Sequence, residues 1–187
     1  MNQVIETIVK RRSIRFFQPA PIDRNDLEQI LTAGNHAPSG GGAQSWRFVV
    51  AQKAETRKKL AELALPRYKK WMENAPAGLK AMRDQIDAVV KDPVYYSAPA
   101  VVFVIGKGIT PDFDCAMVCE NMMIAAASLG IGSCWVHFGQ LVVDDPAIRA
   151  EMDLQEGEKI YGPIVFGYPQ ENQPDRLAKK APVVKWI

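Results

Sequence analysis

Apolar and polar positions change period several times along the chain, and each change marks an expected element. Val4, Ile5, Ile8 and Val9 recur at helical spacing, which predicts a short amphipathic helix over residues 2–10. Residues 16–21 (Phe-Phe-Gln-Pro-Ala-Pro) read as extended, because two prolines disfavour helix there. Asp23 is a good N-cap and Asp26 sits in the same first turn; Leu27, Ile30 and Leu31 then form the stripe of a helix over 24–33. Residues 38–45 are a loop, followed by a strand over 46–51. A charged helix runs from 54 to about 64, where Pro66 ends it. Residues 67–91 form two helical pieces divided by Pro76 and Gly78.

Residues 99–106 are a continuous apolar run, the mark of a strand buried on both faces. Residues 113–129 form a long helix that is apolar nearly all round, so it lies in a large core or against another subunit. Gly130 to Val136 turns sharply into a strand. A short helix follows Asp144, Asp145 and Pro146, and 159–168 is another buried strand. After Pro169 the tail is polar and ends in Val183-Val184-Lys185-Trp186-Ile187, a greasy end that wants a surface to lie on. Helices first, then strands separated by helices, imply an α+β sandwich around one sheet. The reading is of one domain over 1–187, with 66–96 a candidate lid or helical insertion and 170–187 a C-terminal arm.

Composition narrows the function classes. Lys and Arg number 23 against 21 Asp and Glu, for a net charge of +2. No large field of one sign exists to drive nucleic-acid binding, but there is room for a local anion site. No apolar run is long enough to span a bilayer, and the first residues lack a signal-peptide pattern. The expectation is a cytoplasmic protein with reduced thiols at Cys115, Cys119 and Cys134. Cys115 and Cys119 are one helical turn apart and could share a metal. No second ligand pair has suitable spacing, so they read as small buried residues and no metal is expected.

Three stretches carry candidate chemistry. Arg11-Arg12-Ser13-Ile14-Arg15 gathers three guanidinium groups and a hydroxyl within five residues. Such donors suit a phosphate; the same cluster also reads as a solvated basic helix end. Pro38-Ser39-Gly40-Gly41-Gly42-Ala43-Gln44-Ser45 lets the backbone approach a ligand closely or adopt positive φ, or is a mobile surface loop. It is not a Walker A loop, since no Lys-Ser/Thr follows the glycines. Nor is it a dinucleotide fingerprint, because no strand precedes it. Lys179 and Lys180 form a basic pair near the C-terminus.

Taken in order, several pieces resemble the flavin-dependent nitroreductase family over nearly the whole chain. They are Arg11-Arg12-Ser13-Ile14-Arg15; Ala37-Pro38-Ser39 with Gln44 and Trp46-Arg47-Phe48; Ser97-Ala98-Pro99-Ala100; Gly130-Ile131-Gly132-Ser133-Cys134-Trp135; and Gly167-Tyr168-Pro169 with the basic tail. The resemblance implies a central, mostly antiparallel sheet flanked by helices, in an intertwined homodimer with FMN at the subunit interface. It implies that Arg11, Ser13 and Lys180 hold the FMN phosphate, with Arg12 in the same segment and Lys179 beside Lys180. Arg15 would reach the pyrimidine side of the flavin, near N1 and O2. Pro38, Ser39 and Gly40 would come from the other subunit and pack along the cofactor, which Gly42 and Gln44 of the same stretch would also bind. Trp135, Val136, His137 and Phe138 match the strand end that lies behind the ring and donates a backbone N–H to flavin N5.

Two departures stand out: the family often has Asn where this chain has Gly42, and Pro where it has Ser45. No catalytic side chain is implied, because flavin N5 carries the chemistry. For His137 two roles stand: proton donor, or a side chain turned away with only its N–H used. The implied activity is ping-pong transfer from NADH or NADPH to nitroaromatics, quinones or related small-molecule acceptors. The alternatives are a specialised reaction on the same scaffold (reductive dehalogenation or flavin breakdown) and a flavin-binding redox sensor without turnover.

Overall fold

The computed structural model describes residues 1–173 and 178–187. Its centre is a four-stranded antiparallel sheet. The strands are β1 (Trp46–Ala51), β2 (Ala100–Gly106), β3 (Gly132–Trp135) and β4 (Lys159–Gly167), in the spatial order β1-β2-β4-β3. The registers run from Trp46 opposite Gly106 on one side to Trp135 opposite Ile164 on the other. Strand β2 is central, and every one of its residues is buried. Its side chains alternate between two apolar layers, as the two-residue period of a strand requires. Val101, Phe103 and Ile105 face one layer; Ala100, Val102 and Val104 face the other.

The second layer is filled by α2 (Arg24–Asn35) and α5 (Pro111–Ser128), through Leu27 and Ile30 packed with Val118, Cys119 and Met122. Helix α2 starts where Asp23 caps it by accepting from the Asn25 N–H. Gly34 lets the two helices approach, since a Cβ there would meet the Met122 side chain at 2.6 Å. The first layer holds α3 (Ala54–Glu73), with Leu60, Ala64 and Tyr68 inward, and α6 (Pro146–Glu151), with Ile148 inward. Strand β1 is tied to this side by Arg47, whose guanidinium grips both Glu158 carboxylate oxygens and the carbonyls of Met152 and Asp153.

Two expectations about the helical insertion need correction. Helix α3 runs through Pro66 without a break. A proline inside a helix removes one backbone bond and costs about 3 kcal/mol. Here Pro66 is on the exposed face, and the apolar contacts of Leu60 and Ala64 before it and Tyr68 after it hold both halves on the core. The next helix, α4 (Ala77–Asp87), starts behind Pro76 and contains Gly78, which therefore divides nothing.

The first helix, α1 (Gln3–Lys10), is capped by the Asn2 side chain, which accepts from the Ile5 N–H. It buries none of its residues, and Val4, Ile5, Ile8 and Val9 stay exposed. Phe113 and Met117 on α5, and Val183, Val184, Trp186 and Ile187 in the tail, are exposed apolar residues as well. Among the described residues, no helix is long and apolar enough to cross a membrane.

Candidate functional site

The basic segment leaves α1 at its last turn, where the Arg11 N–H donates to the Thr7 carbonyl at 2.9 Å. It then runs extended beside β3. Ser13 pairs with Ser133 in a single parallel bridge, and the Ile14 N–H donates to the Ser133 carbonyl at 2.9 Å. Gly132 permits this approach, because a Cβ there would meet Ile14 at 2.8 Å. Ile14 and Phe17 turn into the core, so Ser13 is left exposed and Arg15 half-buried. Arg11 and Arg12 line a cleft of about 230 Å³ together with Lys10, Gly132 and Ser133. Arg11 also lies 3.8 Å from the Glu120 carboxylate, a long ion pair.

Arg15 is held by two contacts and leaves one donor unmet. Its backbone N–H donates to Gln173 Oε1 at 3.3 Å. Its guanidinium carbon sits 6.0 Å from the centre of the Tyr96 ring. Its Nε is buried with no acceptor. The Cys134 thiol is nearby; burial pushes its pKa up, against the pull of Arg15.

Strand β3 ends at Trp135, and the Val136 N–H is spent on the Pro163 carbonyl at 2.8 Å. His137 and Phe138 are not strand; they open a 3₁₀ turn over His137–Val142. The first N–H groups of such a turn have no partner inside it, so the donors at this end are those of His137 and Phe138. The His137 side chain is exposed. The Phe138 ring meets Tyr68 and Trp71 edge-on, with centres 5.1 and 4.9 Å away, which pins α3 to this strand end.

The glycine-rich loop lies elsewhere. Ser39 Oγ accepts from the Gln44 N–H at 3.0 Å, and the Gly40 N–H donates to Asp114 Oδ1 at 3.1 Å. Gly41 and Gly42 have φ of 60° and 69°, and nothing lies within 4 Å of where their Cβ atoms would be. Pro38, Ser39, Gly40, Gly42 and Gln44 thus stand at the first turn of α5. The cleft at Arg11 reaches Ala127 and Gly130 at its far end. At about 1.5 Å per residue the Ala127 edge of the cleft is roughly 20 Å along the helix from Asp114, and Glu120, which Arg11 meets, roughly 9 Å. The chain brings Arg11–Arg15 and Trp135–Phe138 together but not the loop.

Lys179 and Lys180 are exposed. Among the described residues no hydrogen bond or ion pair ties them to Arg11, and residues 174–177, which lead to them, lie outside the described residues. Cys115 and Cys119 are buried in the α2–α5 layer, and burial raises the Cys115 thiol pKa to about 12. Among the described residues, no group of three or more His, Cys, Asp or Glu side chains could hold a metal.

Sequence reasoning passed over Lys10, Arg83, Tyr96 and Gln173. Arg83 had a signal: with Leu79 and Ile86 it falls on one stripe of α4, and it is buried where Met82 is exposed. The donor set fits the group that the sequence resemblance implies. Three cations at one cleft suit a monophosphate. The unpaired buried Nε of Arg15 suits a carbonyl on a planar ring.

The model of the Nitroreductase family matches residues 8–168. A relative from Archaeoglobus fulgidus that carries a provisional NADH dehydrogenase/NAD(P)H nitroreductase name is 29% identical, with all of both chains covered. An FMN reductase [NAD(P)H] of Bacillus subtilis is 26% identical over 96% of this chain and 70% of its own length. The crystal structure of a Bacteroides fragilis nitroreductase with bound FMN superimposes with a TM-score of 0.79 at 33% identity, with 100% of both chains covered.

Proposed function

The chain belongs to the nitroreductase family, and from that premise we propose that it is an FMN-dependent oxidoreductase taking electrons from NADH or NADPH to reduce nitroaromatics, quinones or related acceptors. The observation that carries the reading is Arg15, whose buried Nε has no acceptor and which directly follows the segment that lines a cation-rich cleft. When bound, FMN supplies the two-electron chemistry, while the protein supplies position and charge.

Arg11, Arg12 and Ser13, with Lys179 and Lys180 of the tail, hold the phosphate by charge-assisted hydrogen bonds. Arg15 stands at the pyrimidine side, where its positive charge favours the reduced, anionic ring. Trp135, Val136, His137 and Phe138 back the ring, with the N–H groups of His137 and Phe138 as donors. Residues 66–96 act as a lid over the open face, with Trp71 and Phe138 at its edge.

The separation of the glycine-rich loop from the last-turn edge of the cation-lined cleft supports a homodimer in which Pro38, Ser39, Gly40, Gly42 and Gln44 complete the partner's site. The exposed faces of α1 and α5 would then be covered, and the arm 170–187 would lie on the second copy. Nicotinamide and acceptor share one stacking surface in turn, so the kinetics are ping-pong. A need for reduced nicotinamide supports a cytoplasmic location. Mass spectrometry of the flavin released from the purified, reconstituted protein tests the reading: FMN supports it, and FAD or no flavin overturns it.

A further inference from the structure

Arg83 projects from the inner face of α4 and is only 3% exposed. A guanidinium buried that far needs partners, because an unpaired charge is costly away from water. It has them. Its Nε donates to the Tyr68 hydroxyl at 3.0 Å and one terminal nitrogen donates to the Tyr96 hydroxyl at 2.7 Å. The other terminal nitrogen donates to the Pro93 carbonyl and lies 3.1 Å from Asp87 Oδ1, an ion pair without hydrogen-bond alignment. Its carbon sits 5.2, 5.7 and 5.5 Å from the ring centres of Tyr68, Tyr96 and Phe138. One side chain thus joins α4, α3, the turn before β2 and the 3₁₀ turn after β3.

Tyr96 carries this framework to the basic segment. Its hydroxyl accepts from Arg83, and its ring lies beside the Arg15 guanidinium. Its backbone is left-handed, with φ of 57°, and so is that of Ser97, with φ of 51°. Residues with a Cβ rarely sit there, and such a pair persists only when its surroundings over-determine it. Asp92 does so. Its carboxylate accepts from the N–H groups of Val94, Tyr95 and Ser97, and its carbonyl accepts from the Tyr96 N–H. The ring is therefore fixed at both ends.

We propose that Tyr96, clamped by Arg83, is the positioning residue for Arg15, and that the 66–96 insertion thereby tunes the flavin's reduction potential. The proposal rests on the reading of Arg15 given above. Arg83 contributes little charge of its own, because Asp87 lies against it. What it contributes is the place of the Tyr96 ring, which restricts where the Arg15 fork points.

The test is a double-mutant cycle on the full chain, read as the ratio of affinities for reduced and oxidised FMN. Arg15→Ala is expected to cut the preference for reduced FMN. Tyr96→Leu is expected to cut it about tenfold, about 30 mV for a two-electron couple. In the Arg15→Ala background, Tyr96→Leu should change nothing further. Tyr96→Phe, which removes only the hydroxyl that Arg83 holds, should give a smaller loss of the same sign and again none without Arg15. It serves on its own if Tyr96→Leu does not fold. Equal losses in both backgrounds, or none from either Tyr96 variant while Arg15→Ala shifts the ratio, overturn this inference alone. A wild-type chain that takes up no FMN, or an Arg15→Ala ratio equal to wild type, overturns the reading of the site beneath it.

Discussion

Gly40 donates its N–H to the Asp114 carboxylate at 3.1 Å, and that contact fixes the glycine-rich loop at the first turn of α5, whereas the cleft that Arg11 lines opens at the last turn. On the proposed reading, a site that uses both draws them from two chains. The expected state is an obligate homodimer that covers the exposed apolar faces of α1 and α5. Light scattering at micromolar concentration should give the dimer mass with FMN bound. A monomer that still held FMN would rule out a shared site.

Arg11 lines the cleft with Arg12 and Lys10. Arg11→Ala should weaken FMN binding by about 1.5–3 kcal/mol, the scale of a charge-assisted hydrogen bond. Lys180→Ala should cost less, because Lys179 is adjacent. Fluorescence titration of the apoprotein with FMN gives both values. Wild-type affinity in both variants would move the phosphate elsewhere.

His137 points an exposed side chain away from the core, while its N–H opens the 3₁₀ turn after β3. The backbone donor survives any substitution except proline. His137→Ala should therefore keep most of the rate of flavin reduction, and Arg15→Ala should lose more. Stopped-flow reduction of both variants separates the cases. Loss of reduction in His137→Ala with FMN still bound would make the imidazole catalytic.

Much of the fold was legible because burial leaves plain marks on a sequence. The run over 99–106 reads as a strand covered on both faces, and β2 is that strand. Pro66 misled because its cost is local, whereas the contacts of Leu60, Ala64 and Tyr68 on either side are tertiary. Arg11–Arg15 was visible as a contiguous run. Arg83 and Tyr96 were not, because each gains its role from the other across 13 residues and a left-handed turn. The exposed stripe of α1 showed its amphipathic pattern clearly, but a pattern does not say which surface covers it.

Glu158 offers a check on the frame that supports β1. The hydrogen bonds from Arg47 hold its carboxyl down at about 2, below the ordinary 4.5. A depressed pKa in the folded state means stability that is full above 4.5 and lost as pH falls through about 2. Arg47 is about a third exposed, so solvent screening limits the pair. Glu158→Gln should cost about 1–2 kcal/mol at neutral pH in urea denaturation. The gap from wild type should close as the pH approaches 2, and a constant gap would contradict the pairing.

Flavin chemistry with a shared stacking surface has a direct signature. The FMN-loaded protein, mixed anaerobically with NADH or NADPH, should lose its yellow absorbance in a single turnover and regain it when a quinone is added after the nicotinamide. The corresponding steady-state double-reciprocal lines should be parallel. FMN that stays bound and yellow in the presence of both nucleotides would contradict the account and leave a flavin-binding protein without this turnover.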